Sequence, residues 1–174
     1  MFGMSVDPKS LELVHYPDPI LVKLAQEVEP TDETVLAVAK RMVEIMITNN
    51  GVGLAAPQVG IPWRLFVTRD PENEESTVAW INPKLEVTNE QLVSDEEGCL
   101  SLPEIRGDVR RPIGIQITGY GVDGKPIKAQ SDTFISRVWQ HENDHLDGIL
   151  IIDKMSTMDK LVNRRLIRNL ERGR

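Results

Sequence analysis

The chain has 174 residues and sets 20 Lys and Arg against 27 Asp and Glu, a net charge of −7, with 40% hydrophobic and 27% charged residues. That balance excludes a disordered or low-complexity chain, and the length predicts a single domain over 1–174. One cysteine excludes an internal disulfide, and no run reaches the ~18 apolar residues of a membrane span, so a soluble, cytoplasmic protein with no membrane partner is expected.

Charge is unevenly placed. From Lys154 to Arg174 seven positive residues face only Asp159 and Glu171, which leaves −12 on the first 153 residues. An acidic body argues against sequence-specific nucleic-acid binding, while a basic tail can dock on an anionic surface.

In chain order, His-Tyr-Pro-Asp-Pro at 15–19 reads as a turn. Thr31 is placed to cap a helix, with Asp32 and Glu33 in its first turn and Val35, Val38, Met42, Val43 and Met46 at helical spacing. Asn49-Asn50-Gly51 is expected to stop it. Strand-like runs follow at Arg64–Thr68, Val78–Asn82, Lys84–Thr88, Ile113–Tyr120 and Ile127–Gln130, separated by Asn82-Pro83 and by a hairpin cue at Val122-Asp123-Gly124-Lys125. Ser131 or Asp132 is the expected cap of a second helix through Phe134, Val138, His141 and His145, closed by Asp147-Gly148. A third helix, about Thr157 to Leu170, puts Met158, Leu161, Val162, Leu166 and Leu170 on one face with arginines opposite. Strands in succession, with helices at the start, middle and end, predict an α+β fold.

His141-Glu142-Asn143-Asp144-His145 is an H-E-x-x-H pattern on a predicted helix. Four residues advance a helix by about 400°, leaving the imidazoles ~40° apart and ~6 Å along the axis. From there both reach one divalent ion at ~2.0–2.1 Å. Glu142, beside the first ligand, comes within reach of a metal-activated water, from which it can take a proton and later return it.

Such a helix needs a third ligand. His15, far upstream among prolines, reads as a surface or capping residue, and the downstream carboxylates are Asp147, Asp153, Asp159 and Glu171. Cys99, in Glu97-Gly98-Cys99-Leu100-Ser101, is the better candidate. Acidic neighbours raise a free thiol's pKa, whereas a divalent ion deprotonates it outright, so a metal thiolate is favoured over a Cys–His nucleophilic dyad. Upstream, Gly51-Val52-Gly53-Leu54-Ala55-Ala56-Pro57-Gln58 admits close backbone approach. It suits a wall for an extended peptide, with the Gln58 amide aimed at a developing oxyanion, or simply a small-residue turn.

GVGLAAPQ at 51–58, EGCLS at 97–101 and QHENDHLDG at 140–148 resemble, in order and spacing, the three signature motifs of the peptide deformylase family. The resemblance runs from HYPDP at 15–19 to the basic terminal helix. It implies antiparallel β-sheets wrapped around a central helix bearing the H-E-x-x-H motif, with a C-terminal helix. It implies removal of the formyl group from the N-terminal formylmethionine of nascent polypeptides, with release of formate. The implied metal is Fe²⁺ on Cys99, His141 and His145, with Zn²⁺, Ni²⁺ or Co²⁺ able to substitute. Glu142 would be the general acid/base, and the Gln58 amide and Leu100 N–H would receive the oxyanion.

Val52, Phe134 and Val138 are suggested as the methionine pocket, with Gly53 in the peptide wall. Arg106 matches a family position near the substrate backbone, and a Glu97–Arg111 pair would brace the cysteine loop. A formyl carbon bears only hydrogen where other acyl groups bear carbon, so a tight site would exclude internal peptide bonds. Asn143 and Ser136 depart from the family's usual apolar residue and alanine, which bears on local contacts rather than on ligands. The basic terminal helix resembles the extension that bacterial deformylases use at the ribosome exit, which implies docking there. Two rivals remain: a zincin-type endopeptidase with an open cleft, and a structural metal site with a fourth protein ligand.

Overall fold

The structure, a computed structural model, describes residues 5–71 and 73–173; Arg174, counted above in the basic tail, lies outside them. Helix α1 spans Glu33–Thr48, and the strands are β1 (Gly53–Ala55), β2 (Leu65–Asp70), β3 (Asn73–Cys99), β4 (Leu102–Tyr120) and β5 (Pro126–Ser131). Helices α2 (Phe134–Leu146), α3 (Ile151–Lys154) and α4 (Thr157–Glu171) complete the chain. The strands form one five-stranded sheet in the order β1-β2-β3-β4-β5, antiparallel at every pairing. The fold is α+β, as the motifs imply.

Local chemistry explains where the elements depart from expectation. Asp32, not Thr31, caps α1, its Oδ1 accepting from the Thr34 and Val35 amides at 2.7 and 3.2 Å. The Thr31 hydroxyl is already donated to Glu29 at 2.8 Å. Asn50, at φ 55, takes the left-handed turn after the helix. Asn82-Pro83 does not end a strand. The Asn82 side chain accepts from Val28 N at 3.0 Å and donates to Val28 O at 2.8 Å, which pins a bulge in a strand that continues to Cys99. Ser131 holds the Thr133 amide at 3.1 Å rather than capping α2, and Thr133 occupies the cap position. Gly124, at φ 72, turns the β4–β5 hairpin at the expected place.

Three apolar clusters pack the helices on the sheet, and the second of them holds α2. One joins Val38, Met42 and Met46 of α1 to Leu54, Val67 and Ile81. A second joins Phe66, Trp80, Ile115 and Ile117 to Trp139 and Leu146 of α2, with the two tryptophan rings 5.8 Å apart at 70°. The third gathers Leu21, Leu102, Ile105 and Val109 beneath α3, with Leu166 and Leu170 of α4 against it. The apolar face expected for α4 is therefore only half used. Met158, Leu161 and Val162 are 67%, 60% and 73% exposed and share the outer face with Arg164, Arg165 and Arg168. A straight helix cannot turn all five apolar residues to one flat sheet, and the contact settled on the 163/166/167/170 side.

Candidate metal centre

Helix α2 presents His141 and His145 from adjacent turns, their Nε2 atoms 3.3 Å apart. Cys99 arrives from the end of β3, its Sγ 3.4 Å from His145 Nε2. Here the register slips, Gly98 facing Arg106 while Cys99 faces Leu102, and the bulge turns the thiol towards the helix. All three ligand atoms lie within 4.8 Å of one another. A tetrahedron with nitrogens at ~2.0–2.1 Å and sulfur at ~2.3 Å has edges of roughly 3.3–3.6 Å, so one thiolate and two imidazoles at these separations fit a divalent transition metal. Among the described residues no fourth His, Cys, Asp or Glu joins the group.

The other candidates are occupied elsewhere. His15 is exposed. Asp147 pairs with Arg64 at 3.0 Å, Asp153 accepts from Leu150 N at 2.8 Å, Asp159 accepts from Asp108 N at 3.0 Å, and Glu171 accepts from Tyr16 OH at 2.9 Å.

Behind the ligands is a buried ion network. Glu97 Oε1 accepts from His141 Nδ1 at 2.9 Å, and Arg111 donates to both Glu97 oxygens at 2.6 and 2.9 Å. The Glu97–Arg111 pair foreseen from the motif is present. Arg137 was not foreseen: it donates to Glu97 Oε2 at 2.7 Å and to the carbonyls of Val109 and Val93 at 2.8 and 2.7 Å. It sits one helical turn before His141, a spacing that would have flagged it. Asp144, inside the motif, accepts from Arg111 at 2.8 Å and Lys154 at 3.0 Å. Burial alone would raise the Glu97 carboxyl, but the hydrogen bonds from Arg111 and His141 outweigh it and hold it well below the usual carboxylate range.

Glu142 is 4% exposed, its Oε2 has no hydrogen-bond partner, and burial pushes its pKa up to about 7. Its Oε1 lies 4.0 Å from His141 Nε2. Burial and the neighbouring His141 charge push His145 well below its ordinary value. Gln58 is oriented by the Ala55 amide, which donates to its Oε1 at 2.9 Å. Its Nε2 therefore faces Cys99 Sγ at 3.4 Å and Ser101 Oγ at 3.2 Å, the latter a hydroxyl the motif reading missed. The Ser136 hydroxyl lies 2.7 and 2.8 Å from Ile113 O and Thr133 O, and Asn143 reaches only Asp147 at 3.4 Å. Neither disturbs the ligands.

A cleft of about 440 Å³ opens over these groups. Val52, Gly53, Leu100, Arg106, Phe134 and Val138 all line it, together with Gln58, Cys99, His141 and Glu142. Gly53 is there because nothing larger fits: a Cβ would stand 2.5 Å from Glu142 Oε1. No helix among the described residues is long and apolar enough to cross a membrane.

A thiol and two helix-borne imidazoles beside a buried carboxyl with one unpartnered oxygen, under a cleft of about 440 Å³, define a candidate metallohydrolase centre. Comparison with known proteins narrows the class. The family model of polypeptide deformylase matches residues 10–161. The peptide deformylase of Desulforudis audaxviator is 39% identical over 149 residues, 86% of this chain and 96% of that protein. That of Borreliella burgdorferi is 38% identical over 156 residues, 90% and 93% of the two chains. The structure of Plasmodium falciparum peptide deformylase superposes with a TM-score of 0.87 at 38% identity, covering 93% of this chain and 96% of that one. For the Thermotoga maritima peptide deformylase the TM-score is 0.79 at 39% identity, with 84% and 97% covered. The chain belongs to the polypeptide deformylase family and is an enzyme of that class.

Proposed function

We propose that this chain hydrolyses the formyl group from the N-terminal formylmethionine of nascent polypeptides, releasing formate, with a divalent metal held by Cys99, His141 and His145. The observation that carries the reading is the convergence of those three ligand atoms within 4.8 Å beside Glu142, whose Oε2 is buried and unpartnered. When bound, the metal supplies Lewis acidity that acidifies water and polarises the formyl oxygen. The family resemblance assigns Fe²⁺ to the site, and the thiolate–imidazole set accommodates Zn²⁺, Ni²⁺ or Co²⁺ as well.

Glu142 takes the proton from the attacking water and delivers it to the departing nitrogen, so that formate leaves and a free amino terminus remains. A pKa near neutrality suits both halves of that exchange. Gln58 Nε2 and the Leu100 backbone N–H stabilise the charge that grows on the formyl oxygen. Val52, Phe134 and Val138 receive the methionine side chain, while Gly53 and Arg106 lie along the peptide. A formyl carbon carries only hydrogen, so a tight site at this point would admit it and exclude internal peptide bonds.

The test is formate release from formyl-Met-Ala-Ser by metal-loaded protein. Glu142→Ala is expected to lose about 10²–10⁴-fold in turnover while retaining its metal. Cleavage of internal peptide bonds would favour an endopeptidase, and unchanged turnover in the variant would favour a structural metal site. We assign the outer face of α4, with exposed Met158, Leu161 and Val162 among arginines, to ribosome docking in the cytoplasm, where its cations meet anionic RNA.

A further inference from the structure

The one residue of α4 that is buried, among the described residues, is an asparagine. Asn163 is 5% exposed, and its amide donates to the Arg106 carbonyl at 2.7 Å and to the Asp159 carbonyl one turn back at 2.9 Å. A polar side chain in the seat of a helix that offers leucines on either side is costly unless its hydrogen bonds are specific, and here the principal bond leaves the helix for a strand.

That strand segment is the rim of the cleft. Gly98, Glu97 and Glu96 of β3 face Arg106, Gly107 and Asp108 of β4. The Arg106 side chain folds back over β3, donating to Glu96 at 2.7 Å, with its guanidinium 2.8 Å from where a Cβ on Gly98 would stand. From the other side the start of α4 grips the same three residues. Asn163 holds the carbonyl of Arg106, the Asp159 carboxylate accepts from Asp108 N at 3.0 Å, and Gly107 lies so near Met155 and Asp159 that a Cβ would meet them at 3.0–3.1 Å. The arginine's outer partner, Glu96, is 58% exposed, and so loose a pair fixes little by itself. The backbone anchor is the buried one.

We infer that Asn163 is a positioning residue: by clamping the Arg106 carbonyl it sets where the Arg106 guanidinium stands at the outer end of the cleft, so the C-terminal helix tunes how peptide residues beyond the methionine are held. This rests on the reading of Arg106 as a contact to the peptide. It goes beyond that reading by coupling α4 to selectivity, and it needs no change at the metal ligands.

The test compares formyl-Met-Ala-Ser with formyl-methioninamide, which has nothing to offer Arg106, on metal-loaded protein. Asn163→Ala is expected to raise KM for the tripeptide three- to ten-fold with kcat within two-fold, and to leave both constants for the amide unchanged. Calorimetric binding of the product Met-Ala-Ser should weaken by the same factor. In an Arg106→Ala background the asparagine substitution should add nothing further. Equal losses on the two substrates, or the same loss with and without Arg106, overturn the inference and mark Asn163 as a purely structural residue. If Asn163→Ala does not fold, Gly107→Ala, whose methyl would press on Met155 and on Asp159 of α4 at 3.0–3.1 Å and shift the strand with no helix residue substituted, is expected to give the same selective rise in KM, and its absence counts equally against the proposal. Arg106→Ala with an unchanged tripeptide KM overturns the reading of Arg106 and the inference with it. A raised KM there, but none for Asn163→Ala, overturns the inference alone.

Discussion

Glu97 Oε1 stands 2.9 Å from Nδ1 of His141, while its other oxygen is held by Arg111 and Arg137 at 2.6 and 2.7 Å. One carboxylate thus orients the ring of a proposed metal ligand and binds two arginines that are 3% and 9% exposed, with Asp144 sharing the charge of Arg111. Replacing Glu97 by alanine strips charge from a buried network. The expected cost is about 3–5 kcal/mol of stability, at the lower end because Asp144 still pairs with Arg111. Metal affinity should fall about 10–100-fold as His141 loses its orienting partner. Thermal melts and a metal titration check both, and an unchanged metal affinity would remove Glu97 from the site.

The same carboxylate sets a pH dependence. Its folded-state pKa is depressed by Arg111 and His141 despite burial, so it contributes stability above its unfolded value of ~4.3, and that contribution drains away as pH falls towards the folded value. Urea melts between pH 7 and pH 3 are expected to show stability falling below about pH 4–5, with a shallower slope in Glu97→Gln. Parallel slopes would mean that other carboxylates dominate the acid transition.

Metal should bind the folded chain far better than the unfolded one, because the three proposed ligands from β3 and α2 meet only after folding. Free Zn²⁺ or Co²⁺ at 100 times its Kd is expected to stabilise the native state by about 2.7 kcal/mol, read as a rise in Tm. Cys99→Ala should abolish most of that rise. A chelator-insensitive Tm would contradict the site.

Gly53 has no room for a methyl group, which would lie 2.5–2.8 Å from the Glu142 carboxyl. Gly53→Ala must therefore displace Glu142, the proposed general acid/base. A shift on the order of 1 Å costs about 10²-fold in turnover, with metal content unchanged. Activity within three-fold of wild type would show that Glu142 works from another position.

The docking proposed for α4 would depend on its outer face. Reversing Arg164, Arg165 and Arg168 to glutamate leaves Asn163, Leu166 and Leu170 in place, so the helix should stay seated. Ribosome affinity is expected to fall at least ten-fold, and the wild-type affinity should weaken with added salt. A triple variant that binds ribosomes as well as wild type rejects the assignment.

Much of this was legible in the chain because its signals are local. The H-E-x-x-H spacing, the caps of α1 within one residue, and the Gly124 hairpin each depend on neighbours a few positions away. The stretch from Asn89 to Glu96 was not legible as strand. It is exposed along its length, with polar residues on both faces and no alternation for a pattern to catch, and only pairing with β4 makes it extended. The burial pattern of α4 was similarly undecidable, because five apolar residues spread around the helix offer more than one face to the sheet.

By itself the sequence determined which atoms are available for chemistry: one thiol, two imidazoles a helical turn apart, a carboxyl beside them and a chain of small residues to let a peptide near. Tertiary structure alone decided that the thiol meets the imidazoles, that Arg137 rather than Arg111 alone secures Glu97, and that a buried asparagine on the last helix touches the rim of the cleft. The reason is range. Periodicity and capping act over a turn or two of backbone, whereas contacts across 40 to 60 residues exist only once apolar burial has folded the sheet around α2.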